Sequence, residues 1–257
     1  MGPCLSTPGS ASGAGVSRGV SDDVGTTGTT AAAADVFVDP AYVPKFTPFT
    51  EEDAAWLASA QHAKMLDRSL RVIGVADRHP VTDRPRVLVT YPLRVMCDDA
   101  RSKIRGFSTN KWGGKHGTDP VPWPNTFWLC CPEYTARVGT LEQTGLIKSY
   151  QARLNNPPDA RAVADAEAFK SQHARYGAFR WSLLSPADVA YAEREGYTRV
   201  LRDFGVGGLR VNVQVKCLHL HYAHHLATGE NLVGGWVQRE LDAAVDRGEG
   251  RDGSTTE

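Results

Sequence analysis

The strand-like runs of this 257-residue chain all fall between residues 71 and 131; one helix start precedes them and every other helical pattern follows. Strands first and helices after predict a sheet built from chain neighbours with helices laid against it, an α+β fold. RVIGVADRH (71–79) and RVLVTYPLR (86–94) are β-branched runs joined by PVTDRP, a hairpin with a proline-bearing connection. TFWLCC (126–131) supplies a third strand. The expected architecture is a small antiparallel sheet of about three strands packed by several helices.

Thr50 followed by Glu51, Glu52 and Asp53 marks the early helix, expected to run to about Leu66, because a carboxylate-rich first turn complements the helix dipole. Pro132 suits the first turn of a helix that Tyr134, Val138 and Leu141 carry to a stop at Gly145. Residues 158–176 read as a helix with a charged surface, and Ser185-Pro186-Ala187-Asp188 opens another that ends near Gly196. GVGG at 205–208 is a turn. Asn212 is read as the cap of a final pair of helices, roughly 213–227 and 231–245, broken at Thr228-Gly229.

The ends lack the apolar spacing of a fold. Seven Gly, five Ser, five Thr and six Ala occupy 23 of the first 34 positions, a composition that buries too little to order itself. The expected division is a tail at 1–40, one α+β domain at 41–245 with a loop insertion at 96–119, and a polar tail at 246–257. MGPCLS fits a myristoylation pattern at Gly2, with Cys4 as a second acylation site, but Pro3 beside the acceptor disfavours it. No signal-peptide run is present and Cys4, Cys97, Cys130, Cys131 and Cys217 are odd in number, so a cytoplasmic protein without a disulfide framework is expected. A Ser/Ala/Thr-rich start leaves plastid targeting open. Lys+Arg 29 against Asp+Glu 29 argues against a dedicated nucleic-acid binder, and no apolar run reaches the roughly 20 residues of a membrane span.

Chemistry concentrates in VKCLHLHYAHHLA, where Cys217, His219, His221, His224 and His225 fall within nine residues. On a continuous helix Cys217, His221 and His224 project at about 0°, 40° and −20° and form one stripe, while His219 points away at about 200°. If the helix begins only after Cys217, the extended residue redirects the pair and His219 enters instead of His221. A thiolate with two imidazoles suits Zn²⁺, and a further ligand is sought at strand ends: His79, or one of Cys130 and Cys131, only one of which can point at the helix because a strand alternates its faces. The competing account is ordinary packing, since helical His and lone Cys are usually core or rim residues.

Several stretches carry a resemblance: RVIGVADRH at 71–79, PWPNTFWLCCP at 122–132, LEQTGLI at 141–147 and VKCLHLHYAHHLATGENLVGG at 215–235. In order and spacing they resemble the domain-of-unknown-function family 501, over about residues 66–241. The resemblance brings no established activity; bacterial members neighbour polyphosphate-hydrolysing enzymes. Its motif positions correspond to Arg78, His79, Cys131, Pro132, Lys216, Cys217, His219 and His224. The family commonly has Arg-Cys at Arg78-His79, and His-Pro or Cys-Pro at Cys131-Pro132. Cys/His exchange is what a metal ligand tolerates and a nucleophilic thiol does not, so the resemblance implies His79 and Cys131 as the strand-end ligands, and the expected metal set is His79, Cys131, Cys217, His221 and His224. Asn231-Leu232 stands where the family has Asn-Pro.

The leading expectation is thus a Zn²⁺-binding protein. Four protein ligands would close the site in a structural role; three plus water would support hydrolysis, with Arg78, Lys216 or His219 as the proton-transfer or oxyanion group. A phosphate ester is the substrate considered, because GVGG at 205–208 and Lys216 offer donors to an anion. The alternative is a non-catalytic interaction module with a packed Cys/His core. Third comes a Cys217–His221 nucleophile, which lacks an orienting acid near the cluster before Glu230.

Overall fold

Thr50 starts the first helix, α1 (Glu51–Ala58), by a reciprocal capping box: its hydroxyl accepts the Asp53 N–H at 3.1 Å, and the Asp53 carboxylate accepts the Thr50 N–H at 3.1 Å. The same carboxylate takes a two-pronged bond from Arg78 at 2.9 and 2.8 Å, which ties α1 to the hairpin. That hairpin is β1 (Val72–Arg78) and β2 (Pro85–Thr90), antiparallel, with His79 organising the turn: its Nδ1 accepts the N–H groups of Val81 and Thr82 at 3.2 and 3.3 Å.

The computed structural model describes residues 44–59, 70–95, 119–210 and 214–248, all within one unit, Val36–Glu257. The expected tail at 1–40 with Gly2 and Cys4, the run of α1 beyond Ser59 to Leu66, nearly all of the 96–119 insertion, the Asn212 cap and the last nine residues lie outside the described residues.

The run 86–94 is not one strand. Pro92 has no N–H for a ladder, and the chain turns there: β3 (Leu93–Val95) pairs with β4 (Pro120–Pro122) in a separate two-stranded sheet. β5 (Phe127–Leu129) then pairs with β2, giving a three-stranded antiparallel sheet of order β1-β2-β5. The fold is therefore α+β, as expected. Alternation along the central strand sends Val87 and Val89 to the helical side and Leu88 to the side of α1, where it meets Leu57, Val75 and Cys130. Cys130 thus packs among apolar neighbours, away from the histidine helix, as strand alternation required.

After the strands come α2 (Pro132–Gln143), with Pro132 in its first turn, and α3 (Leu146–Asn155), which the sequence reading did not anticipate. α4 (Ala160–Ser182) runs six residues past its expected end at 176, because Ala178, Phe179 and Arg180 continue its buried face. α5 (Pro186–Arg194) is capped by the Ser185 hydroxyl. A π-helical turn, Arg199–Asp203, and a 3₁₀ turn, Val206–Gly208, lead to α6 (Leu218–Thr228) and α7 (Leu232–Asp246). No described helix is long and apolar enough to cross a membrane.

The main core joins Val87, Val89 and Phe127 of the sheet to Val138, Phe169, Tyr176, Tyr222 and Val233 of the helices. α6 lies against α7 closely enough that a Cβ on Gly234 would fall 2.3 Å from the His221 carbonyl oxygen. Arg180 is fully buried and donates to the carbonyls of Leu201 (2.7 Å), Val200 (2.9 Å), Pro124 (3.0 Å), Gly205 (3.2 Å) and Phe204, fastening both turns to α4 and to the connection between β4 and β5. These elements leave the N-terminus of α6 beside α2, where Glu142, Cys217 and His219 come together.

Candidate metal centre

α6 begins at Leu218 rather than at 213, and Cys217, its cap residue, is extended (φ −152°, ψ 124°). The 100° projection holds for His219, His221 and His224 but not for Cys217, which leaves the stripe it was expected to share. The thiol is directed instead toward His219, the outcome foreseen for a helix starting after Cys217.

Three side chains converge there: Glu142 from the last turn of α2, Cys217 and His219. Their donor atoms lie within 4.8 Å of one another, and all three are partly exposed. His219 Nδ1 is 3.2 Å from Glu142 Oε1 and 3.7 Å from Cys217 Sγ. On its other side His219 Nε2 is 3.0 Å from the Thr135 carbonyl oxygen. A carbonyl only accepts, so Nε2 carries the hydrogen, and Nδ1 of the neutral ring presents a lone pair to the cluster. Glu142 Oε1 is also held, accepting the N–H of Leu218, an otherwise orphaned donor at the start of α6, at 2.6 Å.

The result is a nitrogen, an oxygen and a sulfur that all offer electron pairs to one small space. An electron-poor group must sit among them: the hydrogen of the thiol itself, a proton on Nδ1 or a metal ion. Burial pushes the Cys217 thiol up to about 11; the N–H of Leu220 at the helix start pulls it down, and the Glu142 carboxylate pushes it up. Without a cation the sulfur therefore keeps its proton at neutral pH, and a bound metal would displace it.

His221 and His224, which do share a stripe, face the core. Asn231 caps α7 by accepting the Gly234 N–H on Oδ1 at 2.8 Å, so its Nδ2 must donate. Its two hydrogens reach His221 Nδ1 at 3.3 Å and His224 Nδ1 at 2.9 Å, fixing both neutral rings with the hydrogen on Nε2. The His224 ring stacks on Phe127 with centroids 5.6 Å apart, and the His221 ring packs on Phe169 and His173. Burial lowers His221 to about 3 and holds His224 well below its ordinary value, with the neighbouring imidazoles adding to both shifts. His173, overlooked in the sequence, joins them: burial lowers it to about 4, and its Nδ1 accepts the Val206 N–H at 3.0 Å.

The other expected ligands lie elsewhere. His79 uses its Nδ1 lone pair in the hairpin turn, so its Nε2 carries the hydrogen, and its ring neighbours Tyr134 at 6.3 Å and Glu133 at 4.0 Å. Cys131 is the buried cap residue of α2; at about 1.5 Å per residue, the length of that helix separates it from Glu142 by roughly 16 Å. Among the described residues no trio of metal-capable side chains includes His79, Cys131, His221 or His224.

The expected helpers are also placed. Arg78 is bound to Asp53 and to the Asp83 carbonyl, on the wall of a cleft of about 560 Å³ beside α1. Lys216 is exposed next to Cys217, its side chain near Gly207. The GVGG turn does not form an anion cradle: the N–H groups of Gly205, Val206 and Gly208 are bonded to Leu209 O, His173 Nδ1 and Gly205 O. His219 alone of these three lies within the convergent group. Glu142 escaped the sequence reading although it stands in the LEQTGLI stretch, 75 residues before Cys217, because no local spacing links the two.

A family model described as a protein of unknown function (DUF501) matches residues 76–239, which takes in Glu142, Cys217 and His219. No curated protein and no solved structure matches the chain.

Proposed function

The chain belongs to the DUF501 family of proteins of unknown function, and on that footing we propose that it binds a divalent transition metal, Zn²⁺ first, through Glu142, Cys217 and His219. One observation carries the reading: His219 Nε2 is tied to a backbone carbonyl while Nδ1 faces a carboxylate and a sulfur, the arrangement in which an outer hydrogen bond orients a ligating imidazole. Thiolate, imidazole and carboxylate are the donors Zn²⁺ takes, and three of them leave one tetrahedral position to solvent. A site so exposed is suited to hold and activate a water molecule, so hydrolysis is the class of chemistry assigned, with no particular ester implied.

The experiment is metal analysis of the purified full chain beside Cys217→Ser and His219→Ala, with cobalt(II) substitution to read sulfur ligation. About one zinc per chain is expected in the native protein, with a sulfur-to-cobalt charge-transfer band that both variants lose. Equal metal content in all three proteins, with no such band, overturns the reading.

A second reading is favoured by the Cys217–His219 separation of 3.7 Å with the ring oriented by Thr135: a thiol nucleophile paired with imidazole. It requires a thiolate at neutral pH, which burial and Glu142 oppose. Rapid alkylation of Cys217 by iodoacetamide at pH 7, unaffected by added zinc, would favour it over the metal.

A further inference from the structure

The imidazole that presents Nδ1 to the cluster is held by the backbone of α2, and a helix backbone is ordinarily covered by its own side chains. Thr135 lies in the first full turn of α2, and its carbonyl is the acceptor for His219 Nε2 at 3.0 Å. Four residues on stands Gly139, in the interior of the helix, where glycine is unfavourable relative to alanine. A Cβ built on Gly139 would have His219 Nε2 at 4.0 Å as its nearest neighbour outside the helix backbone. Helical side chains lean toward the N-terminus and lie over the residue four positions back. Any long side chain at 139 would therefore lie across the Thr135 carbonyl, on the path of the His219 ring.

We infer that Gly139 is a positioning residue of this site: by leaving the α2 backbone bare it lets the Thr135 carbonyl take the His219 Nε2 hydrogen, and so turns Nδ1 toward Glu142 and Cys217. The inference rests on the metal reading for its consequence but not for its geometry, since the ring is oriented whether or not an ion is bound. Alanine fits the space, because 4.0 Å is an ordinary contact. Leucine or methionine does not, because the next carbons reach over residue 135.

The test uses the full chain labelled with ¹⁵N in histidine, and reads the tautomer of each ring by long-range proton–nitrogen correlation in metal-free protein. His219 should carry its hydrogen on Nε2 in the native chain and in Gly139→Ala, and lose that preference in Gly139→Leu and, less completely, in Gly139→Met. The His221 and His224 rings, buried elsewhere, should keep their Nε2–H form in every variant and so report an intact fold. Zinc affinity, measured by competition with a chromogenic chelator, should stay within about twofold for Gly139→Ala and fall about 10- to 100-fold for Gly139→Leu. Retention of the Nε2–H form and of native affinity in both long-chain variants overturns the inference. A native chain that shows the tautomer shift in Gly139→Leu yet takes up no zinc overturns the metal reading alone and leaves the positioning role standing.

Discussion

His219 and His221 are two residues apart on α6, yet their surroundings differ in kind. The His221 end is closed: with His224 it takes both hydrogens of Asn231, lies against aromatic rings and is kept neutral by burial. At the His219 end, hydrogen bonding stops one group short, with three electron-pair donors converging on a partly exposed gap. Counting histidines ranks the two ends equally. Accounting for each ring nitrogen separates them: the one end is satisfied within the core, and the other turns a ring lone pair toward a carboxylate and a sulfur.

The largest expected effect is acid sensitivity at the closed end. His173 and His221 sit near about 4 and about 3 in the folded protein against 6.5 in a model peptide, and His224 is also well below 6.5. Above pH 6.5 neither folded nor unfolded chain binds these protons, and the stability from keeping the rings neutral is fully present. As pH falls below 6.5 the unfolded chain takes up protons that the folded one refuses, so stability drops. Each ring contributes about 1.4 kcal/mol per pH unit, so three together approach about 4 kcal/mol per unit near pH 5. Urea unfolding between pH 7 and 5 should show this slope, and His173→Gln should reduce it by about a third. A flat profile over that range would erase the distinction between the two ends.

Next in size is Asn231→Ala, which leaves two buried imidazole nitrogens without a donor and removes the cap of α7. Each buried unsatisfied group costs about 1–3 kcal/mol and a lost cap about 1, so the loss should be about 3–7 kcal/mol. Zinc affinity, read at the other end of the helix, should change less than threefold if the two ends are independent. A large drop in affinity with little loss of stability would mean that the closed cluster belongs to the site.

How much of this was legible beforehand follows from the range of each interaction. The hairpin, the α2 start at Pro132, the α5 start at Ser185 and the break at Gly229 are local patterns, and all are present in the fold. The division of 86–94 at Pro92 was visible as a proline, but its consequence depends on β4, some thirty residues on. α3 escaped although Leu146, Ile147, Tyr150 and Leu154 recur at helical spacing, because Gly145 reads as a stop, whereas here the glycine, at φ 86°, both ends α2 and starts the next helix. Within the site, composition singled out the stretch from Cys217 to His225, but helical spacing grouped the thiol with His221 and His224 and set His219 apart. The start of α6 is set by tertiary contacts such as Leu218 N–H to Glu142 and Val215 N–H to Gln151, and it decided which histidine joins the thiol. Glu142 and His173 depend wholly on such long-range partners.

Cys217→Ser tests the open end at intermediate size. If the sulfur is a ligand, zinc at 100 times its dissociation constant should stabilise the native protein by about 2.7 kcal/mol, and the serine variant should lose most of that gain. The metal-free proteins should melt together, because a partly exposed thiol exchanged for a hydroxyl disturbs little packing. A stability difference that persists in chelator would make Cys217 a packing residue.

The smallest effect is Glu142→Gln, and it is the one that divides the two positive centres the open end can hold. Glutamine keeps an oxygen for the Leu218 N–H at the start of α6 and removes only the charge. If the natural occupant is a proton on His219, the carboxylate and imidazolium form a partly exposed ion pair, with side chains 25% and 24% accessible. Such a pair contributes less than about 1 kcal/mol and weakens with salt, so metal-free Glu142→Gln should melt within a few degrees of the native chain and lose its salt dependence. A metal occupant predicts that same small change without zinc but a wide gap with it, since a neutral amide is a poor ligand beside a carboxylate, and affinity should drop at least tenfold. Melting both proteins with chelator and with zinc, at low and at high salt, therefore tells the two apart. An equal zinc shift in both proteins would remove Glu142 from the coordination sphere and leave a proton as the group that holds it to His219.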